Sequence, residues 1–155
     1  MQVSARVDYA LRAMTELAAA PREGTSMALR GVQIAASQRI PKKFMENILF
    51  DLRRAGLIKA RRGVGGGYQL ARSAHDTTLA DIIRAVEGPL ANVRGEWPED
   101  VQYSGSAALL QSVWIAVRAN LRAVLEAVTL DDLVRGKLPE KVADLTRDEA
   151  AWRHH

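Results

Sequence analysis

Arg61-Arg62-Gly63-Val64-Gly65-Gly66-Gly67-Tyr68-Gln69-Leu70-Ala71-Arg72 is a glycine-rich run between arginines. Four glycines in five positions let the backbone reach φ > 0 and approach another surface closely. Arginines flank that tip on both sides, and Tyr68 and Leu70 alternate with polar residues as a returning strand does. The spacing predicts strands over 57–62 and 67–71 joined by a tight, arginine-tipped hairpin. A phosphate-cradling loop would need Gly-Lys-Ser/Thr to close the glycine run, but Tyr68 follows it, and the spacing fails the dinucleotide fingerprint as well.

Immediately upstream, Phe44, Ile48, Leu49 and Leu52 recur at helical spacing, with Pro41 placed to open the helix and Gly56 to cap it. A shorter helix over 31–37 offers Val32, Ile34 and Ala35 for packing, and Gln38-Arg39-Ile40 forms the turn between the two. A first helix from Val3 to about Ala20 carries Val7, Leu11, Met14, Leu17 and Ala18, ends at Pro21 and leads into a loop over 22–26. Two helices joined by a short turn and followed by a hairpin make a winged helix-turn-helix, mainly α with a β-hairpin wing.

Downstream, Thr78 with Asp81 reads as a capping box for a helix carrying Leu79, Ile82, Ile83 and Val86, stopped at Gly88-Pro89. Residues 91–106 have no period and read as a long loop, a feature that tends to be functional or disordered. A long helix over 107–127 follows. Leu110, Trp114, Val117, Leu121, Val124 and Val128 are spaced 4, 3, 4, 3 and 4 along it, a heptad seam suited to a second copy of the chain. Packing on its own chain is the alternative. Thr129 opens a last short helix that Gly136 ends, and the remainder reads as a polar, mobile tail. The expected units are a DNA-binding domain over 1–76, a sensory loop with dimerisation helices over 77–136, and the tail over 137–155.

Charge follows this division. Residues 1–75 hold 13 Lys and Arg against 5 Asp and Glu, a net +8, whereas 76–155 hold 9 against 13, a net −4. A basic half joined to an acidic half fits a polyanion-binding module attached to something else, although a merely solvated basic face would look the same. There is no cysteine, which excludes disulfides and thiolate metal sites. No apolar run approaches about 18 residues and no signal pattern opens the chain, which points to the cytoplasm. His75 stands alone, Asp131-Asp132 reads as helix-start chemistry, and Ser4, Ser26 and Ser37 lack a nucleophile-elbow setting, so no enzyme is expected.

Ile40 to Ile58 (IPKKFMENILFDLRRAGLI), the glycine-rich hairpin, and Thr78 to Leu90 (TLADIIRAVEGPL) together resemble the Rrf2 family of bacterial transcription factors, and Asp8 to Ala18 fits its first helix. The resemblance spans about 1–130. It implies a homodimer of winged helices crossed by a long dimerisation helix. The family's sensing members hold an iron–sulfur cluster on three cysteines in the loop before that helix, whereas here 91–106 contains none. No cofactor is therefore expected, and a cysteine-ligated cluster least of all. Arg39 stands where the family often has glycine.

In the helix-turn-helix reading the start of the second helix enters the major groove. Pro41 leads that helix, Lys42 and Lys43 meet phosphates with Arg39 or reach a guanine edge, and Glu46 and Asn47, at positions that the family uses for base contact, face cytosine N4 and adenine. An ordinary helix ion pair to Lys42 or Lys43 is the alternative for Glu46. Arg62 suits a narrow minor groove, Lys59 and Arg61 suit the backbone, and Gly65 and Gly66 let the tip approach. The leading expectation is a dimeric repressor on a pseudo-palindromic operator of double-stranded DNA, responding to a small-molecule or protein effector, with Trp97 and Tyr103 lining a ligand pocket. A winged-helix module for protein–protein contact, or a repressor controlled by a protein partner, is the competing reading.

Overall fold

The computed structural model describes residues 2–20 and 28–154. Pro21, the expected loop over 22–26 with its Ser26, and His155 lie outside the described residues. Helix α1 (Ala5–Ala19) begins at Ser4, whose hydroxyl accepts from the Val7 amide at 3.1 Å. Val7, Ala10, Met14, Leu17 and Ala18 form its buried face, at the three- and four-residue spacing that puts them on one side. Helices α2 (Gly31–Gln38) and α3 (Lys42–Arg54) close over that face with Ile34, Ala35, Met45, Ile48, Leu49 and Leu52.

Two details of α3 differ from the sequence reading. Pro41 is the N-cap rather than the first helical residue: its ψ of 134° is extended, and its carbonyl accepts from Phe44 and Met45. Met45 takes the buried position expected of Phe44, while Phe44 lies half-buried with its ring edge-on to Tyr9, centroids 5.3 Å apart. At the other end Gly56 adopts φ +72°, with Gly56 N–H donating to Arg53 and Leu57 N–H to Leu52, the two bonds of a glycine-terminated helix.

Strands β1 (Ile58–Arg61) and β2 (Gly67–Leu70) pair antiparallel, with Ile58 opposite Leu70 and Arg61 opposite Gly67. A third rung comes from Leu29, which exchanges both backbone hydrogen bonds with Tyr68 at 3.0 and 2.8 Å.

Helix α4 (Leu79–Glu87) starts with the expected capping box: Thr78 Oγ1 accepts from the Asp81 amide and the Asp81 carboxylate from the Thr78 amide. Helix α6 (Leu130–Arg135) repeats the device with Thr129 and Asp132 and ends at left-handed Gly136. Backbone bonds from Leu79 to Val128 and from Leu130 to Thr77 tie the two helix starts together. Ile82, Val86 and Leu130 share one core with α1, α2 and α3, so the expected division at 76–77 crosses a single core. Arg6 fastens it, with Nε donating to the Val86 carbonyl and Nη2 paired with Asp51 of α3.

Helix α5 (Leu110–Leu125) has no buried residue along its 16 positions. By length and composition the segment Gly105–Leu125 would suffice to cross a membrane, against the expectation that no segment would. Its two arginines are committed to protein contacts, Arg118 to Glu99 and Arg122 to Glu126, which also pairs with Arg84 of α4. Beyond Gly136 the expected mobile tail is folded. Helix α7 (Glu140–Arg147) buries Val142, and Trp152 Nε1 donates to the Thr146 carbonyl at 2.7 Å. Val142 and Leu145 lie on adjacent turns within a polar sequence, a weaker apolar signal than the stripes upstream.

A Cβ added at Gly67 would sit 2.5 Å from the Leu29 carbonyl oxygen, at a φ of +151°. Gly67→Ala should lower the unfolding free energy by about 2 kcal/mol or more, measured by denaturant titration, because backbone strain and a broken rung add together. Arg84 and Arg122, through their hydrogen bonds, hold the Glu126 carboxyl below the usual glutamate range. A carboxyl whose pKa is lowered by folding adds stability above its unfolded value and loses it as pH falls. Paired thermal melts should therefore show wild type keeping an advantage over Glu126→Gln at neutral pH that disappears between about pH 5 and pH 3.

Candidate nucleic-acid interface

The turn between α2 and α3 is built on one residue. Arg39 takes φ 54°, ψ 45°, the left-handed conformation that glycine adopts freely and other L-residues adopt at a cost. Its amide bonds back to the α2 carbonyls, and Ile40 N–H reaches Ala35 O at 2.9 Å, so the turn closes as it would with glycine. The arginine side chain is exposed beside the start of α3.

Along α3 the inner face is Met45, Ile48, Leu49 and Leu52, which leaves Lys42, Lys43, Glu46, Asn47, Phe50, Arg53 and Arg54 on the outer face, all exposed. Pro41 is exposed at its head. Among the described residues Glu46 has no ion pair with Lys42 or Lys43, so the helix-partner alternative is not realised, whereas Lys43 Nζ lies over the Phe44 ring at 5.4 Å. Sequence reasoning passed over Phe50, which is 63% exposed, together with Arg53 and Arg54. The signal was available, because Phe50 falls outside the Ile48-Leu49-Leu52 stripe.

The wing presents Lys59, Arg61 and Arg62 on an exposed hairpin whose tip carries Val64 wholly in solvent. Its glycines have separate duties. Gly63 and Gly65 take φ of +90° and +75° at the tip. Gly66 is required inside the hairpin, where a Cβ would lie 2.5 Å from the Arg61 carbonyl oxygen. Gly67 admits the Leu29 backbone. Between α2, α3 and Tyr68 runs a groove of about 620 Å3 with apolar walls, rimmed by Arg30, Lys42 and Arg53.

The expected seam and pocket rearrange. Trp114, Val117 and Leu121 face a cleft of about 730 Å3 against Val7, Ile83 and Pro98 of the same chain. Val124 is half-buried and Leu110 is 39% exposed. Val128, counted in the seam, is buried within its own subunit because its carbonyl accepts from Leu79 at the start of α4. Leu109, the residue before α5, and Val113 on its first turn are exposed as well. Neither Trp97 nor Tyr103 is among the described lining of the cleft: Trp97 is half exposed, and the Tyr103 hydroxyl accepts from Trp114 Nε1 at 3.0 Å. The loop over 91–106 is ordered, turning at Arg94-Gly95 and burying Pro98 and Val101.

A family model described as Iron-dependent Transcriptional regulator, Rrf2, matches residues 3–136. The chain belongs to the Rrf2 family. A Mycobacterium tuberculosis protein named as an HTH-type transcriptional regulator is 43% identical over 151 residues, 97% of this chain and 92% of that one. The regulator CymR of Bacillus subtilis is 36% identical over 86% of this chain and 89% of its own. Among solved structures, CymR, the global cysteine regulator of B. subtilis, superposes with a TM-score of 0.72 at 32% identity, covering 88% of this chain and 98% of that one. IscR of T. potens gives 0.71 at 32% identity, covering 88% of each chain. These matches make this Rrf2 chain a bacterial DNA-binding transcriptional regulator of winged-helix fold and not an enzyme.

The donor set of this Rrf2 chain does not fit a cysteine-ligated cluster. It has no thiolate anywhere, and among the described residues no three His, Asp or Glu side chains converge as metal ligands. The left-handed Arg39 supplies a direct check on the turn. Arg39→Gly should raise the unfolding free energy by about 0.5–1 kcal/mol, since it removes the side-chain strain but loosens the unfolded chain; an unchanged or lower value would show the arginine unstrained.

Proposed function

We propose that this protein is a dimeric repressor that binds a pseudo-palindromic operator in the cytoplasm and releases it in response to a signal other than a cysteine-ligated cluster. The observation that carries the reading is the exposed outer face of α3 beside a cationic wing. Lys42, Lys43 and Arg39 meet phosphates, Glu46 and Asn47 meet base edges, and Arg62 with Lys59 and Arg61 follows the neighbouring minor groove. Dimerisation is supported by α5, a 16-residue apolar helix with nothing buried in its own subunit. Leu110 continues the seam onto that open part of the helix.

Signal reception is supported best at the cleft beside α5, where Trp114, Val117 and Leu121 meet Pro98 of the cysteine-free loop. Anything that wedges there alters the angle between the two winged helices through α4 and α5. A protein partner bound to the acidic C-terminal half would act on the same joint.

Selection of genomic fragments by the purified protein should recover an operator with two half-sites related by a dyad, and sedimentation should give a dimer. Leu110→Glu should yield monomers that bind a half-site weakly. For Lys42→Ala/Lys43→Ala, the slope of log affinity against log salt should fall by about two units, as two phosphate contacts disappear. A salt-independent, sequence-independent association would favour a winged-helix module for protein contact instead.

A further inference from the structure

We propose that Phe50 reads the 5-methyl group of a thymine in the major groove and is a specificity-determining residue of this protein. The inference rests on α3 entering the major groove as described above. It concerns a side chain that neither charge nor hydrogen-bonding capacity would single out.

Phe50 is 63% exposed although it sits in a helix whose inner face is fully furnished by Met45, Ile48, Leu49 and Leu52. At about 100° per residue it falls between Glu46 and Asn47, about 40° from one and 60° from the other, near the middle of the outer face. It lies about 4.5–6 Å further along the helix, a distance of one or two base-pair steps. A major groove that follows the helix one turn past Glu46 and Asn47 meets the Phe50 ring next.

The surroundings say what kind of surface the ring meets. The Arg54 guanidinium lies 5.8 Å from the ring centroid, Lys42 and Arg53 rim the adjoining groove, and Lys43 stands on the same face. A guanidinium against the ring, with further cations along the same helix face, suits a polyanion better than an apolar protein surface, which would have to desolvate them. The ring offers no donor and no acceptor, so it cannot select a base by hydrogen bonding. In the major groove the thymine methyl is the apolar group that a base edge presents, and phenylalanine is one of the side chains that contacts it. Val32, 59% exposed on α2 and part of the same groove wall, widens the apolar strip next to the ring.

Synthetic operator duplexes in which thymines are replaced one at a time by deoxyuridine test this directly, because only the methyl group is removed. At one thymine per half-site, one or two steps beyond the Glu46 and Asn47 contacts, wild type should lose about fourfold in affinity per methyl, the factor expected for burying one such group. Phe50→Ala should bind the thymine and deoxyuridine duplexes equally, and Phe50→Leu should recover part of the discrimination. The exposed position lets these variants keep the wild-type melting temperature. Equal binding of both duplexes by wild type at every thymine would overturn the proposal, as would discrimination that survives in Phe50→Ala. No binding to any duplex would instead remove the DNA-binding role of α3 on which it rests.

Discussion

Two backbone hydrogen bonds between Leu29 and Tyr68 hold the wing against the start of α2, and the relative placement of hairpin and helices depends on them. A two-stranded hairpin is marginal alone in water. Here the added rung, together with Ile58 and Leu57 in the core, fixes its angle to α3. The wing cations and the helix face can then meet one duplex from a rigid frame. Gly67 makes the rung possible, since any side chain there would occupy the place of the Leu29 carbonyl.

Helix α5 is far less embedded in its own chain. It meets the rest of the chain through the Arg118–Glu99 pair, hydrogen bonds from Gln111 and Trp114 to the preceding loop, the Arg84 pair at its C-cap Glu126 and one face lining a cleft, and it buries nothing fully. Exposed ion pairs of this kind contribute little to stability, so the helix is oriented by its own chain but not secured by it. An apolar helix in that position calls for a second surface. The chain thus pairs a fully packed winged helix with a helix α5 that its own residues leave largely open.

Much of this was legible in the residues. Most of the α1 stripe, Ile48, Leu49 and Leu52 of the α3 stripe, the capping box at Thr78, and the stops at Gly56 and Gly136 are local devices that act within a few residues of themselves, and they stand where periodicity and turn chemistry place them. Lys42, Lys43, Glu46 and Asn47 were legible as an outer face for the same reason. Reading failed where a position depends on something far along the chain. Val128 looks like the end of a seam but closes onto α4, and the glycines that look like a uniform flexible tip answer to different neighbours. The tail showed too few apolar residues to betray α7, and Trp97 and Tyr103 lay near the cleft in sequence but outside it in space.

By itself, then, the sequence determined the elements, their ends, the basic character of one half and the absence of thiolate chemistry in the loop, because each follows from side-chain type and local spacing. The fold, and not local spacing, made Arg39 left-handed, brought Leu29 in to complete the wing, and buried Met45 in place of Phe44. Each of those depends on which distant surface fills the space beside the residue, and spacing along the chain carries no record of that.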